Sequence, residues 1–138
     1  MDNRDKTILK ILMKNARIPK TKIAEKLKIT ETAVRKRISK LEKNKIILGY
    51  KAIINYKTTG LSASLTGIDV EPEKLWNVIN KLKELEEVKS IMLSTGDHMI
   101  MTEIVAESVD ELSKIHKHIE KFEGVKRICP AIILDVLK

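Results

Sequence analysis

The stretch Thr21–Lys43, TKIAEKLKITETAVRKRISKLEK, holds two short amphipathic segments separated by a tight break at Lys28–Thr30. In the first, Ile23, Ala24 and Leu27 share one side, and Ala24 is small where two helices must cross closely. In the second, Thr30 is placed to cap a helix, and Glu31 complements the positive end of its dipole. Val34, Ile38 and Leu41 stand at i, i+4 and i+7, the spacing of a buried helical stripe. Glu31, Thr32, Arg35, Lys36, Ser39, Arg37 and Lys40 are left on the outer or flanking faces. Two short helices, the second presenting Arg and Lys outward, match what the DNA major groove accepts. Any pair of basic helices on a lysine-rich surface has the same local pattern, so the charge of the rest of the chain decides.

That charge is divided unevenly. The 138 residues carry a net +8. Residues 1–57 hold 17 Lys and Arg against 5 Asp and Glu, net +12, whereas residues 58–138 hold 10 against 14, net −4. A basic half fused to a mildly acidic half means that one half meets a polyanion and the other does not. A membrane surface is the weaker match, because no lipidation motif or strongly apolar amphipathic segment accompanies the charge. Aromatic residues make up 3% of the chain, which disfavours single-stranded binders that stack bases on rings. Double-stranded DNA is the expected partner. Thr32, Arg35, Lys36 and Ser39 face base edges or nearby phosphates, while Arg37, Lys40, Lys20 and Lys22 contact mainly phosphate.

Other chemistry is poorly represented. The single cysteine, Cys129, excludes an internal disulfide framework and a cysteine-rich zinc site, and it is expected as a small buried side chain. His116 and His118 are two apart on an expected helix and point in different directions, so they are expected at the surface or at a dimer rim and not on a metal. There is no phosphate-binding glycine loop, nucleophile elbow or metal-ligand cluster, so neither an enzyme nor a cofactor is expected. No apolar run reaches membrane-spanning length, and MDNRDKTILK lacks the apolar core of a signal peptide, so a cytoplasmic location is expected. Glutamine is absent and Lys, Glu and Ile are abundant, a composition that leans toward thermophiles.

Working outward from the helix pair, Ile8, Leu9, Ile11 and Leu12 give an earlier helix its apolar stripe, with Asp2 or Asn3 as cap and Asp5 in the first turn. Pro19 ends that stretch and can open the next helix. Residues 1–45 therefore read as a helix-turn-helix domain. Residues 46–60 read as a strand, IILGYKAIINY over 46–56, followed by a hinge at 57–60. Residues 61–138 read as strand 61–70, helix 73–86, strand 88–95, a turn at Gly96–Asp97, strand 98–106, helix 109–122 and strand 125–137. Pro72 opens the first of these helices and Gly124 follows the second. The class is α+β, a helix-turn-helix head followed by a ferredoxin-like βαββαβ domain.

Such a domain packs both helices on one side of its sheet and leaves the other side bare. A bare side facing water alternates with polar residues. Here Ile128, Ile132, Leu134 and Val136 point one way, Cys129, Ala131, Ile133 and Leu137 the other, and Met99, Met101 and Val105 alternate with Ile100, Ile104 and Ala106. Both sides are largely apolar, so a second copy of the chain is expected to cover one of them, with Ile128, Ile132, Ile133 and Leu134 at the interface. Two heads then suit a pseudo-palindromic site. Pro130 implies an edge position or a bulge. Thr95–Gly96–Asp97–His98 is either a plain hairpin turn or a ligand site that gathers backbone donors, a carboxylate and an imidazole.

The opening DNRDKTILKIL, then ARIPKTKIAEKLKITETAVRKRISKLEKNKII, GYKAIIN, STGDHMIM and the closing GVKRICPAIILDVL together resemble the Lrp/AsnC, or feast/famine, family of transcription regulators, and within it the archaeal Lrp-like members. The resemblance runs essentially end to end. It implies a winged-helix-like head, a strand-containing hinge and a C-terminal domain of the RAM/ACT-like kind that dimerises through its sheets. It further implies assembly of dimers up to octamers, binding to pseudo-palindromic operators, contact with the transcription machinery, and repression or activation of the protein's own gene or of amino-acid metabolism. An amino-acid effector is implied near the hairpin turn, at Thr95, Gly96, Asp97, His98 and Met99. The family's Gly-Asp-aromatic-Asp pattern is matched at Gly96 and Asp97, with His98 and Met99 in the last two places.

Overall fold

The Asp2 carboxylate accepts a hydrogen bond from the Asp5 N–H at 2.8 Å and starts helix α1, Asn3–Lys14. In the computed structural model, which describes residues 1–138, Pro19 leads into α2, Lys20–Leu27. Thr30 caps α3, Glu31–Lys43, by accepting from the Ala33 N–H at 3.1 Å. Between α2 and α3, Lys28 takes a left-handed conformation at φ 55°, and the Ile29 N–H returns to the Ala24 carbonyl at 3.1 Å. That closure turns the chain within three residues. Ile8, Ile23, Ala24, Val34, Ile38 and Leu41 form the core of this unit, Met1–Ala52.

The strand expected over 46–56 is absent. The backbone there is irregular up to a 3₁₀ turn at Tyr56–Thr58, and Leu48, Tyr50 and Ile53 are exposed. The β-branched composition is real, but a strand needs a neighbour to accept its ladder bonds, and the single chain offers none.

The second unit, Ile53–Lys138, contains β1 (Ser62–Val70), α4 (Leu75–Lys83), β2 (Val88–Leu93), β3 (Ile100–Ala106), α5 (Val109–Glu120) and β4 (Val125–Ile132). The strands pair antiparallel in the order β2-β3-β1-β4, as a split βαβ plan requires. The last strand stops short of the expected 137, although the Ile133 N–H still reaches the Ala63 carbonyl at 2.9 Å. Pro130 does lie on an edge strand. Ile68, Val70, Ile100 and Ile104 meet Val78, Leu82, Leu112 and Ile119 from the helices. Ile128, expected between chains, packs instead against this core, because it pairs with Ile68 and shares its side of the sheet.

His116 corrects another expectation. It is buried under α5, 9% exposed, with Nε2 2.8 Å from the Ser64 hydroxyl and 3.4 Å from that of Thr66. Ser64 and Thr66 point to the helix-covered side and leave a polar spot that the imidazole fills. Burial holds the His116 pKa below the ordinary 6.5. The unfolded chain therefore takes up this proton at a higher pH than the folded one. The stabilisation is full above the unfolded value and is lost as pH falls through it toward the folded value, at up to about 1.4 kcal/mol per pH unit. Urea titrations from pH 7 to 5 should show this loss, and His116→Gln should remove that component. An identical pH profile in the variant would rule His116 out as its source.

Candidate DNA-binding surface and effector region

The buried stripe of α3 determines which of its residues face out. With Val34, Ile38 and Leu41 inside, Thr32, Arg35, Lys36, Ser39 and Lys40 are all exposed. Lys43 falls seven residues after Lys36 on the same outer stripe and is exposed as well. Its spacing was the signal for including it with the others. Arg35 bonds to Glu31 one turn earlier, an exposed i, i+4 pair worth only about 0.3–0.5 kcal/mol, so a stronger acceptor can take the guanidinium away. Lys20 and Lys22 are exposed on the first turn of α2, which has no side-chain cap and no acidic residue. A helix start of that kind favours an anion.

Arg37 is engaged differently from these residues. It lies on the flank of α3 toward α1 and donates to Asp2 at 2.7 Å and to Asp5 at 3.1 Å. Those bonds hold the Asp2 carboxyl below the usual carboxylate range. The guanidinium thus ties the start of α1 to α3 and is occupied inside the head. Sequence alone placed it among the phosphate contacts because its partners are 35 and 32 residues away.

In the second unit, the side of the sheet opposite the helices is open. Met92, Met101, Gly67 and Cys129 form one row across it, and Ser90, Glu103, Leu65 and Ala131 form the next. Met92 and Leu65 are 58% and 50% exposed. Ile133 follows on this side at the end of β4, half-buried, whereas Ile132, also expected between chains, pairs with Ser64 and so lies on the helix-covered side like Ile128, at its exposed end; Leu134, beyond the strand, is exposed.

The hairpin turn sits at one end of this open side. Thr95, Gly96 and Asp97 are exposed. Gly96 has φ +101°, the conformation for which glycine is suited. Met99 packs against the core and is not presented by the turn. His98 folds over Gly67, so closely that a Cβ at position 67 would lie 2.3 Å from its ring. His98 Nδ1 stands 3.3 Å from both carboxylate oxygens of Asp69. From the other side Arg127 donates to Asp69 through Nε at 3.0 Å and Nη2 at 2.9 Å. Partial burial raises the Asp69 pKa, but the bonds from Arg127 and His98 outweigh it and hold the carboxyl below its usual range.

Sequence reading did not find Asp69, Arg127 or the role of Gly67. A glycine inside a strand was the available signal, since it marks close approach of another group. The regular pairing of β1 with β4 puts Arg127 directly opposite Asp69, and the ladder becomes irregular just beyond, where Val70 pairs with Val125.

Comparison with known proteins matches both units. The AsnC-type helix-turn-helix domain covers residues 1–42, and the Lrp/AsnC ligand binding domain covers 64–138. The HTH-type transcriptional regulator LrpA of Pyrococcus horikoshii is 53% identical over 100% of this chain and 99% of its own length. The HTH-type transcriptional regulator LrpA1 of Halobacterium salinarum is 32% identical over 99% and 98%. Among solved structures, the transcriptional regulator NMB0573 of Neisseria meningitidis in complex with L-Met shares the fold at a TM-score of 0.70 and 18% identity, over 100% of this chain and 92% of that one. These relatives are transcription regulators and not enzymes. A basic helix-turn-helix head and a four-stranded ligand-binding domain, each matched along its own part of the sequence, place this chain in the Lrp/AsnC family of DNA-binding transcription regulators.

Proposed function

We propose that α3 reads base edges in the major groove through Thr32, Arg35, Lys36 and Ser39, while Lys20, Lys22, Lys40 and Lys43 hold phosphates. The observation that carries this reading is the outer stripe of α3, where polar and cationic side chains are exposed with no apolar residue among them. Two chains join through the open sides of their sheets, using Leu65, Met92, Met101 and Ile133, and present two heads to a pseudo-palindromic operator. Dimers associate further, up to an octamer. The functional division is a head of residues 1–45, a hinge of 46–60 and a dimerisation and effector domain of 61–138. The protein works in the cytoplasm on its own gene or on genes of amino-acid metabolism, by repression or activation and with contact to the transcription machinery.

The effector on this reading is an amino acid held near Thr95–His98. Arg127 and His98 face its carboxylate, and Asp97 and Asp69 face its ammonium, in place of an acid at position 99. The L-Met complex of NMB0573 supports an amino acid as the ligand class. Selection of sites from random duplex DNA at physiological salt tests the DNA reading. A recovered pseudo-palindrome supports it, and tight binding without an enriched motif counts against sequence readout. Arg35→Ala should then weaken the selected site by about 1–3 kcal/mol while sparing random DNA. Equal loss on both would make Arg35 a phosphate contact.

A further inference from the structure

The head carries a second cationic surface, on the back of α1. Ile8, Leu9, Ile11 and Leu12 pack inward. Lys6, Lys10 and Lys14 are exposed on the opposite side, four residues apart, and make a stripe about 12 Å long at the rise of an α-helix. Helix stripes of this kind are usually neutralised by acids one turn away, as Glu31 does for Arg35 and Glu111 for Lys114. Here each lysine has another lysine one turn away, and like charges at that spacing repel. The only acids near the start of the helix, Asp2 and Asp5, are turned toward Arg37 and engaged there. None of the three lysines is ion-paired or hydrogen-bonded through its side chain.

The sorting is complete along this helix, with acids consumed on the inner flank and lysines uncompensated outside. Since α1 and α3 pack their apolar faces on one core, their outer stripes leave that core in different directions. On the proposed seating, a duplex on α3 leaves the back of α1 open.

We propose that the Lys6–Lys10–Lys14 stripe is a second, sequence-independent phosphate-binding surface, which holds a further segment of duplex DNA while α3 occupies the first. Its occupant is a polyanion, because a dense array of negative charge matches three like charges in a row, and the protein already acts on DNA. Three ammonium groups on flexible stems supply attraction without base readout.

The test is Lys6→Gln, Lys10→Gln and Lys14→Gln together in the full chain, with two probes. One is a duplex of about two helical turns, ~20 base pairs, long enough for the two α3 helices of one dimer and no more. The other is a closed-circular plasmid, in which separate DNA segments lie close together. The triple variant should match the wild type on the short duplex within about twofold. On the plasmid its affinity should fall tenfold or more, and the slope of log affinity against log salt should shrink by about 0.9 for each phosphate contact removed. Substitution by arginine at the same three positions should keep plasmid binding. Unchanged plasmid affinity in the glutamine variant would show a merely solvated face and overturn the proposal. Equal losses on both probes would place the stripe on the same duplex as α3 and overturn it as well. Wild-type protein that binds neither probe would remove the DNA reading of α3 together with this one. Removal of like-charge repulsion should leave the variant's thermal midpoint at or above that of the wild type, which separates lost contact from lost folding.

Discussion

Leu65→Lys is expected to convert the protein into folded monomers. Leu65 lies in the middle of the open side of the sheet, flanked by Glu103 on β3 and Ala131 on β4. Half of its surface is exposed, so the chain's own core does not depend on it. A lysine there stands directly opposite Glu103, where an unlike cross-strand pair is favourable. In a two-fold dimer the same substitution occurs twice at one interface, and each copy brings a charge into a desolvated apolar contact. At about 2 kcal/mol per central interface residue, two copies cost about 4 kcal/mol, roughly a thousandfold in the dissociation constant. Sedimentation equilibrium gives the size and circular dichroism the fold. A variant that stays dimeric at micromolar concentration would refute the proposed interface.

Gly67→Val should destabilise the second unit by about 3 kcal/mol, toward the upper end for overpacking. The first atom of any side chain at position 67 would meet His98 Cδ2 at 2.3 Å and Cγ at 2.4 Å. The ring would have to leave and would give up its contact with Asp69. The turn is otherwise held by the Ser94 N–H to the Met99 carbonyl and the Ser94 hydroxyl to the His98 carbonyl, both at 3.0 Å. His98→Ala added to Gly67→Val removes the obstacle and should restore most of the stability, a non-additive pair in urea titrations. Additive losses in the two variants would show that the cost arises elsewhere.

The elements with local signals were readable in advance. Thr30 announced the start of α3 because a hydroxyl ahead of a helical stripe has one common use. Pro72 marked the turn that leads into α4, and Gly124 the chain just past α5, for the same kind of reason. The alternation of β3 identified its two sides, since side chains on a strand must alternate. What escaped reading depends on partners distant in sequence. The ion pairs of Arg37 with Asp2 and Asp5 form only when folding brings α1 beside α3. His116 looked like a surface residue because the hydroxyls that accommodate it lie 52 and 50 residues away on β1. Arg127 and Asp69 are 58 apart and meet only through the pairing of β1 with β4. The segment 46–56 failed for the opposite reason: its composition favours a strand, and one chain supplies nothing for it to pair with.

The edges of the sheet have a consequence for how the protein avoids uncontrolled assembly. An unpaired edge strand is a template for fibre growth. Both edges here are spoiled. On β2 the register slips around Lys89, which leaves a charged residue at the irregularity. On β4 the N–H of Ile133 points inward to Ala63, so the alternate position of Pro130 turns outward, and there the ladder has no donor to offer. An incoming strand would meet a charge on one side and a missing hydrogen bond on the other. Growth by strand addition is disfavoured at both edges, so contact between copies of the chain is directed away from edge-to-edge pairing.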